Sequence, residues 1–152
     1  ADAGHPRALY ALGVMHEAGW AVPADPATAL ALYRDAAERG AVEAQAALAQ
    51  LYDSGGAGER SPEEAARWYA RAAAQGDGGA QYSLGHMKLT GDGIARDAEE
   101  AYRLFSLATI NLPPGEMRVA AHQGQELAAA AMTEAQRRAV DEAVAAWYPV
   151  YE

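Results

Sequence analysis

The strongest constraint on the fold of this chain is a period of 36 residues. Four kinds of position carry it, namely Ala8, Ala44 and Ala80; Leu12, Leu48 and Leu84; Gly19, Gly55 and Gly91; and Tyr33, Tyr69 and Phe105. A period of this length is typical of helical hairpins, which stack because a single hairpin cannot bury its own apolar face. The sequence therefore predicts an all-α fold built from stacked two-helix units.

The segment between Ala80 and Ala108 shows one such unit most clearly. Ala80, Leu84 and Met87 have the spacing of one helical face, and Gly91 then interrupts the helix. Asp97 has the position and chemistry of an N-cap for a second helix. The apolar stripe predicted for that second helix consists of Ala101, Leu104, Phe105 and Ala108.

The period predicts a single domain of three repeats and a closing helix pair. The repeats span about residues 6–40, 41–76 and 77–112, and the closing pair spans about residues 116–148. The period fails after Ala108, because Pro113 and Pro114 cannot continue a helix. Thr133 and Gln136 form a capping-box pattern that opens the final helix. We expect Ala139, Val140, Val144 and Trp147 of that helix to face inward.

The composition narrows the choice of partner. The chain has 152 residues and a formal net charge of −9, with 21 acidic residues against 12 Lys and Arg. Phosphate backbones and anionic membrane surfaces attract positive charge, so nucleic-acid and membrane-surface binding are disfavoured, and a basic partner is favoured. The absence of cysteine excludes disulfides and thiolate metal sites. No apolar run reaches the length of a membrane span.

The repeat pattern resembles the Sel1-like repeat family, which is related to the tetratricopeptide repeats. The matching residues of repeat three are Ala80, Leu84, Gly85, Gly91, Gly93, Ile94, Asp97, Ala101, Phe105 and Ala108, and those of repeat two are Ala44, Leu48, Tyr52, Gly55, Ala65, Trp68, Tyr69, Ala72, Ala73 and Gly76. The segment after residue 111 resembles the closing unit of bacterial members. The resemblance implies a right-handed α/α solenoid without chemistry or cofactor of its own, acting as a protein-interaction scaffold.

The resemblance also implies that the first helix of each hairpin lines a concave face. If Ala8, Leu12 and Met15 face the partner helix, then Tyr10, Val14 and Glu17 lie roughly opposite on the helical wheel. Applied to all three repeats, this reasoning predicts a partner-binding surface that includes Tyr10, Val14, Glu17, Gln50, Asp53, Tyr82 and His86. The alternative is that these are ordinary solvated or inter-repeat positions.

A second class of function is a small-molecule-binding or hydrolytic protein that uses a concave pocket near His86. The four histidines never occur at the i, i+3 or i+4 spacing that places two imidazoles on one helix face, so no metal site is predicted. No serine lies in a nucleophile-elbow context. These patterns favour the non-catalytic interpretation.

The chain begins with Ala1 rather than Met, so we expect a processed product or part of a longer protein truncated at its N-terminal side. The first helix would then present an apolar edge through which the protein could self-associate. We expect a soluble protein of the bacterial cytoplasm or periplasm.

Overall fold

A computed structural model describes residues 5–147 of the chain, in which eight α-helices and no strands are present. The helices are α1 (Pro6–Ala18), α2 (Pro26–Glu38), α3 (Val42–Ser54), α4 (Pro62–Ala74), α5 (Gly78–Thr90), α6 (Ala98–Asn111), α7 (Glu116–Ala129) and α8 (Glu134–Trp147). The prediction of an all-α helical repeat fold is confirmed. The helices belong to two compact units, Ala1–Gln75 and Gly76–Glu152, which we call the N-terminal unit and the C-terminal unit.

The second helix of each hairpin begins at a side-chain cap. The caps are Asp25, Ser61 and Asp97, which are spaced by the 36-residue period. The Asp97 carboxylate accepts a hydrogen bond from the Glu100 amide at 3.0 Å. The Ser61 hydroxyl accepts one from the Glu64 amide at 3.5 Å, while the Glu64 carboxylate binds Arg67 instead of returning to the cap. These caps satisfy amides that have no partner inside the helix.

The predicted capping box at the start of α8 is complete. The Gln136 amide donates to the Thr133 hydroxyl at 3.2 Å, and the Thr133 amide donates to Gln136 Oε1 at 2.8 Å. Two amides at the helix start therefore have partners.

The N-terminal unit consists of the α1–α2 and α3–α4 hairpins, with α2 also packed on α3. Its core contains small side chains that allow the helices to approach closely. The buried members of this cluster are Leu9, Ala36, Ala37, Ala41, Ala44 and Leu48. The composition of this core explains how a chain with few large aromatic residues packs.

A buried glutamine also connects the helices of the N-terminal unit. Gln45 on α3 donates from its side-chain amide to the Ala37 carbonyl at 3.1 Å and accepts from the Gln75 amide at 2.8 Å. The same bond recurs 36 residues later, where Asn111 Nδ2 donates to Gln81 Oε1 at 2.9 Å. The sequence analysis did not identify these residues, although both pairs follow the period.

The predicted inward face of α1 is wrong. The structure buries Leu9 and Gly13 against α2, whereas Ala8 is exposed and Leu12 is 39% exposed. The equivalent residue of α3, Leu48, is fully buried in the cluster that α2 and α3 form. Leu48 faces α2, the second helix of the preceding repeat, and no described helix precedes α1.

The C-terminal unit is organised around α6, on which α5, α7 and α8 all pack. The ring of Phe105 lies between glycines of two neighbouring helices. A Cβ atom at Gly85 of α5 would lie 3.1 Å from a carbon of this ring, and one at Gly124 of α7 would lie 2.6 Å from it. Only helices that lack a side chain at these positions can approach the ring this closely.

Helix α8 is held against α6 by polar and apolar contacts. The Tyr102 hydroxyl donates to Asp141 at 2.9 Å, and Val144 is buried. The expectation that Trp147 and Ala139 face inward is wrong, because Ala139 is exposed and Trp147 is 82% exposed. The buried positions of α8 end at Val144, and Trp147 lies almost one turn beyond them. No helix within residues 5–147 has the length and apolar character needed to cross a bilayer.

We predict that Gly124→Ala destabilises the protein. The added methyl group would lie 2.6 Å from two carbons of the Phe105 ring. Overpacking of this kind costs about 1–3 kcal/mol, which is only partly offset by the roughly 1 kcal/mol that alanine gains over glycine in a helix. Urea denaturation followed by circular dichroism measures the change in the free energy of unfolding.

A matched comparison uses Phe105→Leu as the background. The smaller side chain leaves room for the methyl group, so Gly124→Ala should cost less there than in the wild type. An equal cost in both backgrounds would show that the ring contact is not the cause.

Candidate binding groove

An open groove of about 450 Å³ lies on the N-terminal unit. Helices α1 and α3 supply its walls, and α2 contributes one residue between them. The lining residues are Tyr10, Val14, Glu17, Tyr33, Ala47, Gln50, Leu51 and Ser54. We call this site the α1–α3 groove.

Tyr33 of α2 reaches the groove because α1 has a glycine opposite it. A Cβ atom at Gly13 would lie 2.7 Å from the Tyr33 ring, so a larger residue would displace the ring. The Tyr33 ring also lies beside that of Tyr10, with centroids 5.5 Å apart and planes tilted by 35°. The pair presents aromatic surface from a buried residue and a half-buried one.

Glu17 is held in place by Tyr33. The Tyr33 hydroxyl donates a hydrogen bond to Glu17 Oε2 at 2.6 Å. This bond engages one of the two oxygens of an exposed carboxylate. Burial raises the pKa of Tyr33, and the hydrogen bond to Glu17 and the negative charge of Glu17 raise it further. Tyr33 therefore remains a neutral donor at neutral pH and orients the carboxylate.

The α3 side of the groove combines apolar and neutral polar groups. Ala47 and Leu51 are half-buried, whereas Gln50 and Ser54 are exposed. The Ser54 hydroxyl accepts a hydrogen bond from the Gly56 amide at 3.3 Å. With Val14 on the opposite helix, the groove has apolar walls, one fixed carboxylate and a polar rim.

The structure brings four of the seven predicted site residues together in this groove. These are Tyr10, Val14, Glu17 and Gln50. Asp53 does not line the groove. The turn after α3 brings Arg60 to Asp53. Arg60 donates to the Asp53 carboxylate at 3.0 Å and to the Asp53 carbonyl at 2.9 Å.

The other two predicted residues lie on α5 in the C-terminal unit. Tyr82 is half-buried and packs against Phe105, with ring centroids 5.9 Å apart. His86 is exposed, and its backbone carbonyl accepts a hydrogen bond from the Thr90 hydroxyl. Within residues 5–147 no group of three or more His, Asp or Glu residues is placed to hold a metal ion.

Four groove residues were not predicted as site residues, namely Tyr33, Ala47, Leu51 and Ser54. By the period Tyr33 is equivalent to Phe105 of the predicted apolar stripe, and Tyr33 is indeed 2% exposed. The period does contain a signal that could have identified Tyr33. Gly13 lies opposite Tyr33 in the first repeat, and Gly85 lies opposite Phe105 at the same positions of the third. A large ring opposite glycine indicates a close contact, and here that contact lets Tyr33 line the groove beside α1.

The fold defines a class of protein, the α-helical repeat proteins. A family model for the Sel1 repeat matches three times, at residues 6–40, 42–77 and 79–109. The chain belongs to the Sel1 repeat family. Proteins of this family are generally protein-interaction scaffolds and are typically not enzymes.

Two solved structures of bacterial proteins are similar to the chain. A Sel1 repeat protein from Oxalobacter formigenes is 28% identical with a TM-score of 0.68, over 70% of this chain and 44% of that one. The c5321 protein, a protective antigen of uropathogenic Escherichia coli with an SLR fold, is 20% identical with a TM-score of 0.37. The match covers 95% of this chain and 46% of that protein. The chain thus spans less than half the length of either protein. Comparison with curated protein sequences gave no match.

The raised pKa of Tyr33 predicts a loss of stability at alkaline pH. In the unfolded chain a tyrosine loses its proton near pH 10, whereas folded Tyr33 keeps it to a higher pH. The stability that this proton contributes is therefore complete below about pH 10 and decreases as the pH rises through and above that value. Urea midpoints at pH 8 and pH 11 measure the loss.

Tyr33→Phe is the matched variant, because it removes the proton and keeps the ring. We expect its baseline stability to be lower, since the bond to Glu17 is lost, but its decrease between pH 8 and pH 11 to be smaller than in the wild type. Equal decreases in the two proteins would contradict the assignment of the alkaline loss of stability to Tyr33.

Proposed function

We propose that this protein is a non-catalytic scaffold that binds a peptide or protein segment, with the α1–α3 groove as a main contact. The observation that carries the proposal is the groove itself, in which Tyr10 and Tyr33 supply aromatic surface and Glu17 a fixed charge. Aromatic anchors in a partly desolvated depression are the usual centres of binding energy. The general role of the family supports the same function.

The partner segment is basic in this proposal. The net charge of −9 gives the surface a negative potential, which attracts positively charged segments and accelerates their encounter. The exposed carboxylate of Glu17 gives that attraction a local target. Tyr82 and His86 on α5 remain predicted contacts for the same class of partner.

The hydrolytic alternative near His86 is less well supported. His86 is an exposed residue of α5, and the groove described above has no histidine among its lining residues. In the groove, the Glu17 carboxylate accepts a hydrogen bond from the Tyr33 hydroxyl, and the Ser54 hydroxyl is bonded to backbone groups. These are arrangements that orient groups for recognition.

The test is a peptide-display selection against the full chain, followed by fluorescence anisotropy with the selected peptides. We expect Tyr10→Ala to weaken binding about tenfold or more, because truncating a central aromatic residue typically costs more than 1–2 kcal/mol. Trp147→Ala is the control, since it removes an exposed aromatic residue outside the groove and should leave affinity unchanged. Selected peptides that bind Tyr10→Ala as tightly as the wild type would refute the groove as the site.

The exposed edge of α1 supports a second candidate function, self-association through that edge. Leu12 is 39% exposed, while the equivalent Leu48 and Leu84 are buried. The position is therefore one that a helix covers elsewhere in the same chain. We propose that a second copy of the protein covers it.

Light scattering coupled to size-exclusion chromatography tests this proposal. The wild type should form a dimer at high micromolar concentration, and Leu12→Glu should be a monomer because it places a charge in the contact. Ala31→Glu, which changes an exposed residue of α2, is the control and should not alter the mass. A monomeric wild type at all concentrations would refute it.

A further inference from the structure

We propose that the α1–α3 groove receives one arginine side chain of the bound segment, with its guanidinium group between the Glu17 carboxylate and the Tyr10 ring. This inference rests on the proposed function and names the chemical group that the groove selects. It follows from the charge, the aromatic surface and the polar rim of the groove, taken in turn.

No ion pair to Glu17 forms among the described residues. In the part of the chain that the structure describes, its hydrogen bond comes from the neutral Tyr33 hydroxyl and engages only Oε2. Two acids of α3 differ in this respect, since Asp53 pairs with Arg60 at 3.0 Å and Glu43 lies 3.8 Å from Arg7. Glu17 therefore offers an oriented oxygen, Oε1, to a cation from outside.

The aromatic pair favours a flat cation. A guanidinium group stacks on the face of a tyrosine ring and is less strongly hydrated than an ammonium group. The half-buried Tyr10 ring lies next to Tyr33, which positions Glu17, so one planar group can contact a ring and the carboxylate together. Val14 and Leu51 line the same groove and can pack against the methylene stem.

The rim distinguishes arginine from lysine. Gln50 lines the α3 side with a side-chain amide whose oxygen can accept a hydrogen bond, and Glu17 lines the α1 side with Oε1, which the Tyr33 hydroxyl does not engage. The Ser54 hydroxyl is already bonded to backbone groups. Arginine has five donors in a fixed fork and can serve acceptors on both sides, whereas lysine concentrates three donors on one atom. The arrangement of acceptors on two helices therefore fits a guanidinium group.

The experiment titrates the isotopically labelled full chain with three pentapeptides, each with two alanines on either side of a central residue and both ends blocked. The central residue is arginine, lysine or citrulline, which has the shape of arginine without the charge. We expect the arginine peptide to shift the amide resonances of α1 and α3 and to bind at least tenfold more tightly than the citrulline peptide, with the lysine peptide between them.

Two variants separate a seated guanidinium from general attraction. Glu17→Gln removes the charge and keeps an oxygen that can accept from Tyr33, so it should reduce the arginine peptide to the affinity of the citrulline peptide. Glu38→Gln removes the same charge from an exposed position of α2 outside the groove and should have little effect. An equal loss in both variants would overturn the proposal, because it would indicate long-range attraction alone.

The remaining outcomes are also decisive. Equal binding of the arginine and citrulline peptides would overturn the arginine assignment and leave the groove as a binding site. The arginine assignment would also be overturned if none of the three pentapeptides shifts the amide resonances of α1 and α3 while the display-selected peptides do shift them. If the selected peptides also bind elsewhere, the proposed function itself fails.

Discussion

The structure depends on the close approach of an aromatic ring to a helix that has no side chain at the point of contact. Phe105 lies against Gly85 and Gly124, and Tyr33 lies against Gly13. A ring that fits between backbones brings more apolar area into contact than the alanine-rich helices could supply by themselves. The 36-residue period repeats this pairing of a small residue on the first helix with a ring on the second.

The same contact links the fold to the candidate site. Because Gly13 lets the Tyr33 ring approach α1, the hydroxyl of this core residue emerges beside Glu17 and fixes it. The carboxylate therefore keeps its orientation without a bound partner, which lowers the entropy that binding must overcome. Here the packing of the repeat and the preorganisation of the groove are one interaction.

What could be predicted from the sequence were the features that short segments determine. The helix starts at Asp97 and Thr133 follow from caps that act within three residues, and these predictions match the structure. The face of α1 was wrong because its burial depends on whether another helix covers it. The pairing of Asp53 with Arg60 could not be predicted from helical spacing, because Arg60 returns to α3 only through the fold of a turn. Tyr33 serves both the core and the groove, a double role that its pattern did not separate.

The buried glutamines have a consequence for how such arrays can be rearranged. Gln45 and Gln81 bond across the unit at the same repeat position, and Gln45 also donates to the carbonyl of the preceding helix. The first repeat has Leu9 at that position. A duplicate of it inserted inside the array would therefore lack the bond from this side-chain amide to the carbonyl of the preceding helix. Repeats of nearly identical shape are thus not interchangeable in order, because the Gln45 side chain ties the second repeat to the first through a bond that Leu9 cannot make.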